Sequence, residues 1–284
     1  NTQLTLFGDD KTLTKSKGLP AGRHGRPKIN ANKFIINEVA DIDDDGEFNL
    51  KDIAKQLKAN KHNEWMPLEG DGDFRSDECI NLLKQSDIVI TNPPFSLFRQ
   101  YLKQLVEYEK KFLIIGNMNA ITYKEVFPLI KDNKMWLGNG FHAGNAYFFT
   151  PNMRDFASGV YDEKTGLVKF RNVCWFTNID HGRRHQPLKQ MTMEENLKYS
   201  KHKEIKGKKS YDKYDNYDAI EVPFTDSIPS DYDGVMGVPI SFLDKYNPEQ
   251  FEIVKFRHGD DEKDLRLKDG ICPYFRVLIK HKKK

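Results

Sequence analysis

Long apolar runs are missing from this chain. The longest, such as FLII at 112–115, fall far short of the roughly 20 residues a membrane-spanning helix needs, and no signal-peptide pattern is visible. Cysteine is scarce: Cys79, Cys174 and Cys272 stand far apart with no CxxC, which excludes a disulfide framework and a thiolate zinc site. The eight histidines form no HxH or HExxH pattern; His181 and His185, four apart, lie among Arg and Gly and suit solvent or DNA contact better than a metal. There is no internal repeat and no low-complexity tract beyond one Lys-rich segment. These absences leave the expectation of a soluble, cytoplasmic protein, and 284 residues can bury the core of one large domain, alone or with a smaller one appended.

Charge is present in quantity but is unevenly spread. The net value is only +3, yet 41–47 (DIDDDGE) is acidic while 181–209 holds Arg183, Arg184, Lys189, Lys198, Lys201, Lys203, Lys206, Lys208 and Lys209. That asymmetry fits a polyanionic partner, or a solvated Lys-rich loop. Arg183 and Arg184 follow the apolar run NVCWFTNI, so they are expected near a packed element and are the candidate DNA contacts. The acidic stretch 41–52 has Asp41, Asp43, Asp45 and Gly46 at calcium-loop spacing. Position twelve, however, is Asp52 rather than Glu, and an acidic turn is the better reading.

Residues 1–33 show no sustained period and read as a flexible leader or loop. From 34 a regular pattern begins: a strand at 33–39, helices at 49–60 and 76–85, a buried strand DIVIT at 87–91, and a helix with Phe98, Tyr101, Leu102, Leu105 and Val106 on one face. KKFLIIGN reads as a strand, TYKEVFPLI as a short helix and KMWLG as a strand. The alternation predicts a parallel α/β sheet. Beyond about residue 150 come short strands (AYFFTP, VCWFTN, FEIVKF, YFRVLIK) between polar loops, so the chain is expected to divide into 34–150 and a more irregular 151–284. Tyr211, Tyr214 and Tyr217 are expected in a core.

The segment that carries chemistry is TNPPF, where DIVIT gives way to the next helix. Two prolines in succession are a costly way to make an ordinary turn, and the carboxyl end of a strand is where α/β sheets build ligand sites. Asn92 offers a side-chain oxygen as an acceptor, Pro93 a backbone carbonyl held in a stiff direction by Pro94, and Phe95 a flat apolar face. The set suits an aromatic amine. Adenine's exocyclic amine is a poor nucleophile because its lone pair is delocalised; two acceptors on its N–H bonds would localise and aim that pair toward a sulfonium methyl donor such as S-adenosylmethionine. A base in a duplex would have to flip out and stack on Phe95.

TNPPF resembles motif IV of the amino methyltransferases. The runs GDGDFRSDECINLLKQSDIVITNPPFSLFRQYLKQL and KKFLIIGNMNAITYKEVFPLIKDNKMWLG, with NVCWFTNID, YDKYDNYDAIEV and DYDGVMGVPISFLDKYNPEQFEIV, resemble the EcoRI-type adenine-N6 DNA methyltransferase family over about residues 68–256. The resemblance implies a Rossmann-like sheet that uses S-adenosylmethionine, with a C-terminal mixed α+β target-recognition region. It also implies a catalytic Asn92–Pro93–Pro94–Phe95 loop, and Asp73 and Phe74 at the cofactor's adenine. Double-stranded DNA is the implied partner, with a cognate restriction endonuclease as a possible second. An RNA or protein-glutamine methyltransferase, or a DNA-binding module without activity, remain the alternatives. One departure bears on this: no glycine-rich or acidic loop for the methionine end of the cofactor occurs upstream of Asp73, and the N-terminal part of the sheet is expected to lie outside this sequence. LGNGFHAGN (138–145 and its flank) precedes a strand rather than a helix and reads as a hairpin turn.

Overall fold

A computed structural model describes residues 31–37, 41, 44, 46, 52, 55, 63–138, 145–149 and 159–282. The chain forms two units, 1–86 with 150–155, and 87–149 with 156–284.

In the first unit, β1 (Asn32–Ile35) pairs antiparallel with β2 (Glu64–Pro67), and α1 (Asp77–Gln85) follows. Helix α1 starts where the sequence says it should: the Ser76 hydroxyl accepts a hydrogen bond from the Cys79 N–H at 3.3 Å, and Asp77 and Glu78 complement the positive end of the helix dipole. The leader expected at 1–33 lies outside the described residues as far as 30, and Asn32 and Lys33 already belong to β1. Of the helix predicted over 49–60 only Asp52 and Lys55 are described, both helical. Most of the acidic stretch is likewise outside the described residues; within it the Gly46 N–H donates to the Asp41 carboxylate at 2.8 Å.

The second unit opens with a β-α-β crossover. Strand β3 (Ile88–Thr91) runs parallel to β4 (Lys111–Asn117), joined through the Asn-Pro-Pro-Phe loop, a 3-10 turn (Phe95–Leu97) and α2 (Phe98–Glu107). Helix α2 buries Phe98, Leu102 and Leu105, the i, i+4, i+7 stripe, whereas Val106 at the margin of the predicted face stays exposed. A 3-10 turn (Met118–Thr122) and α3 (Phe127–Lys131) divide the helix predicted at 122–130, and β5 is reduced to Trp136–Leu137.

The sheet is not all parallel. Its order is β3-β4-β9-β5, with β9 (Val173–Thr177) antiparallel to both neighbours. A buried strand reads as an apolar run in either direction, so the sequence of β9 could not reveal its sense. Strand β3 also departs from expectation: it stands at the end of that order, and Ile88 and Ile90 are 48% and 68% exposed rather than buried. The segment read as a hairpin turn, of which 139–144 are outside the described residues, leads from β5 to a strand of a different sheet. That sheet is antiparallel, with β6 (Asn145–Phe148) and β7 (Tyr161–Asp162) flanking β8 (Leu167–Arg171).

The remaining sheet has the order β10-β11-β13-β12, formed by Ala219–Glu221, Val235–Pro239, Arg276–His281 and Phe251–Phe256. Helix α4 (Met193–Tyr199) precedes it, started by a capping box of Thr192 and Glu195. Tyr211 and Tyr214 are buried, and Tyr217 packs against the cluster of Tyr214, Ala219, Leu265 and Leu278, as expected. The Tyr214 hydroxyl donates to Glu221, which Arg276 grips at 2.7 Å; burial first, then the Glu221 charge, pushes the Tyr214 phenol up. All three cysteines are free, and no described helix is long and apolar enough to cross a membrane.

The two halves of the crossover sheet meet at Gly116 on β4. Phe98 from α2 and Phe176 from β9 lie with centroids 5.1 Å apart across it. A Cβ at this glycine would sit 2.5 Å from Phe98 Cε2 and 2.8 Å from Phe176 Cε2. Gly116→Ala is therefore expected to cost about 1–3 kcal/mol by overpacking. Urea denaturation with an unchanged midpoint would refute this packing role.

Candidate active site

Asn92 follows the last residue of β3, at the strand's carboxyl end, and is exposed. Its side-chain amide has no hydrogen-bond partner among the described residues, so its oxygen is available to a ligand. Pro93 is buried and Pro94 is extended, with φ −57° and ψ 122°. The Pro94 carbonyl accepts the Leu97 N–H at 2.9 Å, which closes the turn and delivers the chain into α2. Phe98, 2% exposed, locks the first residue of that helix over Gly116. The loop is thus held by a strand on one side and a buried ring on the other.

Phe95 is half-buried, and its ring centroid lies 6.3 Å from that of Phe170 on β8, tilted by 42°. Phe170 was not singled out by sequence. The available signal was the alternation of LVKFR, whose apolar Val168 and Phe170 share one face of a strand. At the neighbouring strand end, the Asn117 side chain accepts the Asn119 N–H at 2.8 Å and shapes the turn after β4.

Asp73 and Phe74 lie in the first unit, in the turn before α1. The Asp73 carboxylate accepts two bonds from the Arg75 guanidinium, at 2.9 and 2.6 Å, and a third from the Arg75 N–H at 2.9 Å. Arg75 holds its pKa at about 2. The same guanidinium lies 5.5 Å from the Phe74 ring centroid. A carboxylate ionised at neutral pH beside a half-exposed ring has the chemistry to accept an adenine N–H and stack on its face. The pair fits the adenine end of a nucleoside cofactor.

The structure separates the two arginines that sequence had grouped. Arg183 is half-exposed and pairs with Asp244 at 2.6 Å. Arg184 is 8% exposed, with its guanidinium 3.8 Å from the Trp136 ring centroid and bonded to Asn133. Next to them His185 is gripped by Asp180 at 2.8 Å and Glu249 at 2.9 Å, and these two carboxylates raise its pKa. The basic turn Gly182–His185 is tied down by its neighbours rather than waving in solvent.

The profile of the family described as "Adenine-specific methyltransferase EcoRI" matches residues 23–282. The chain belongs to this family. It is similar to the Type II methyltransferase M.EcoRI of Escherichia coli, 54% identical over 217 residues that make up 75% of this chain and 63% of that protein. A Type II methyltransferase of Mycoplasma genitalium is 39% identical over 241 residues, 75% of this chain and 70% of that protein. M.MpnI of Mycoplasma pneumoniae is 35% identical over 240 residues, 76% of this chain and 71% of that protein. The chain thus spans less than two thirds of the length of M.EcoRI. No solved structure matches it. Membership agrees with the Asn-Pro-Pro-Phe loop at a strand's carboxyl end.

The Asp73 carboxyl yields a pH prediction. Its folded pKa, about 2, lies below the ordinary carboxyl value of 3.8. The stabilisation from the Arg75 pair is therefore fully present above pH 3.8 and lost as pH falls through 2. NMR titration should show Asp73 ionised throughout the neutral range, and Arg75→Ala should return its pKa toward about 3.9. An unchanged midpoint in that variant would show that Arg75 is not the cause.

Proposed function

We propose that the protein transfers a methyl group from S-adenosylmethionine to N6 of an adenine flipped out of double-stranded DNA, in the cytoplasm, as the modification enzyme of a restriction-modification or orphan system. The observation that carries this reading is the exposed Asn92 amide, without a hydrogen-bond partner among the described residues, beside the buried Pro93 and the half-buried Phe95 at the end of β3. Residues 34–150 would supply part of a Rossmann-like catalytic domain, to which β9 adds a strand, and 151–284 would serve largely in target recognition.

In this reading the Asn92 side-chain oxygen and the Pro93 carbonyl accept the two N–H bonds of the amine. The amine's lone pair is then withdrawn from the ring and aimed out of the base plane. Phe95 holds the base by its face, and Pro94 fixes the direction of the Pro93 carbonyl. When bound, the cofactor supplies a methyl carbon made electrophilic by its sulfonium. Asp73 and Phe74 would hold its adenine end. The loop contains no ionisable side chain, so the proton released by the amine passes to water. Positioning and electrostatics supply the catalysis.

Asn92→Ala is expected to abolish methyl transfer while leaving DNA binding within a few fold, because the lost acceptor serves the reacting amine rather than the phosphates. Single-turnover rates near wild type would sink the assignment. Phe95→Ala should weaken capture of the flipped base by about 1–3 kcal/mol and Phe95→Tyr should be tolerated, read from a fluorescent base analogue at the target position.

Arg183 and Arg184 are proposed to serve DNA binding differently. Arg183, half-exposed, can exchange Asp244 for a phosphate, so Arg183→Ala should lower the slope of log K against log salt by about 1. Arg184, stacked on Trp136, would support the turn that presents it. Arg184→Ala should lower the unfolding midpoint. Titrations at several salt concentrations that show equal slopes for wild type and Arg183→Ala would remove the DNA contact.

A further inference from the structure

Strands β6 and β8 form a ribbon with two chemically different faces. Tyr147 is opposite Lys169 and Phe148 opposite Val168 in the register. Side chains alternate along each strand, so Phe148, Val168 and Phe170 share one face, and Tyr147, Lys169 and Arg171 the other. On the first face Val168 is buried, yet the two phenylalanines beside it remain 45% and 44% exposed. Their centroids are 6.4 Å apart, and Phe170 is in turn 6.3 Å from Phe95. Three rings therefore form a chain of contacts from Phe95 of the proposed target-base pocket through Phe170 to Phe148. Such a cluster of half-exposed large rings is characteristic of a binding surface.

We propose that this ribbon is a DNA-contacting element whose Phe148 and Phe170 stack on a nucleobase adjacent to the flipped adenine while Lys169 and Arg171 face phosphates; the inference rests on the methyltransferase reading above. Continuity selects the partner first: whatever lies on Phe95 has its nearest neighbour within reach of Phe170. Charge selects it second. The Lys169 ammonium lies 5.7 Å from the Tyr147 ring centroid, and Arg171 is exposed while donating to the Gly159 carbonyl at 2.8 Å. Among the described strand residues of that face the acidic side chain is Asp162 on β7, opposite Leu167 and accepting the Lys164 N–H at 2.9 Å. Aromatic rings on one face with cations on the other suit a nucleobase and its flanking phosphates.

The test uses the full-length chain and a duplex carrying its methylation site, as mapped by sequencing, with 2-aminopurine at the nucleotide next to the target. Phe148→Ala is expected to weaken binding roughly 5- to 100-fold and to brighten the 2-aminopurine, with Phe148→Trp restoring both. Lys169→Ala should lower the salt slope by about 1. Unchanged affinity and fluorescence in a Phe148→Ala variant that melts like wild type would overturn the proposal. Should that variant fail to fold, an unchanged slope in Lys169→Ala would overturn it instead. A wild-type chain that methylates no DNA would sink the methyltransferase reading and this one together. Normal methylation, with Phe95→Ala losing the base and the ribbon variants binding like wild type, would sink the ribbon alone.

Discussion

The contact of Phe98 and Phe176 across Gly116 is the constraint on which the site depends. Each ring comes from a different element, α2 and β9, and the glycine on β4 is the gap that admits both. Burial of a phenylalanine contributes about 1.5–3 kcal/mol, and a ring pair adds about 0.5–1.5 beyond that. The consequence for chemistry is positional. Once the first residue of α2 is pinned, the turn from Pro94 to Leu97 has little freedom, and Asn92 is held at the end of β3 with its amide facing outward.

Electrostatics does its work differently in the second unit. The Tyr214, Glu221 and Arg276 group is nearly dry, so each member must satisfy the others; removal of any one would strand a buried polar group. The turn Gly182–His185 sits near the surface, where ion pairs are individually weak. Its order comes from several ties at once, of which the Arg184 and Trp136 stack is the most buried. An arginine held in this way loses less freedom on meeting a phosphate than a mobile lysine does.

Much of this could be read before any coordinates. The helical pattern of 76–85 marked α1, the i, i+4, i+7 spacing of Phe98, Leu102 and Leu105 marked the buried face of α2, and the apolar run 111–117 marked β4. The Asn-Pro-Pro-Phe loop was legible as chemistry because prolines and an amide constrain the backbone and its hydrogen bonds locally. The exposure of Ile88 and Ile90 was not, since an apolar run predicts burial and only the order of strands shows what stands beside it.

The sequence by itself determined those things that depend on neighbours a few residues away: helical stripes, the stiff loop, and the residue types able to grip an amine. Tertiary structure alone decided what depends on distant segments meeting. It turned β9 antiparallel between β4 and β5, set Phe170 against Phe95 across 75 positions of chain, and parted Arg183 from Arg184 by burying one of them. The physical reason is that side-chain periodicity records which face of an element is covered and carries no information on what covers it.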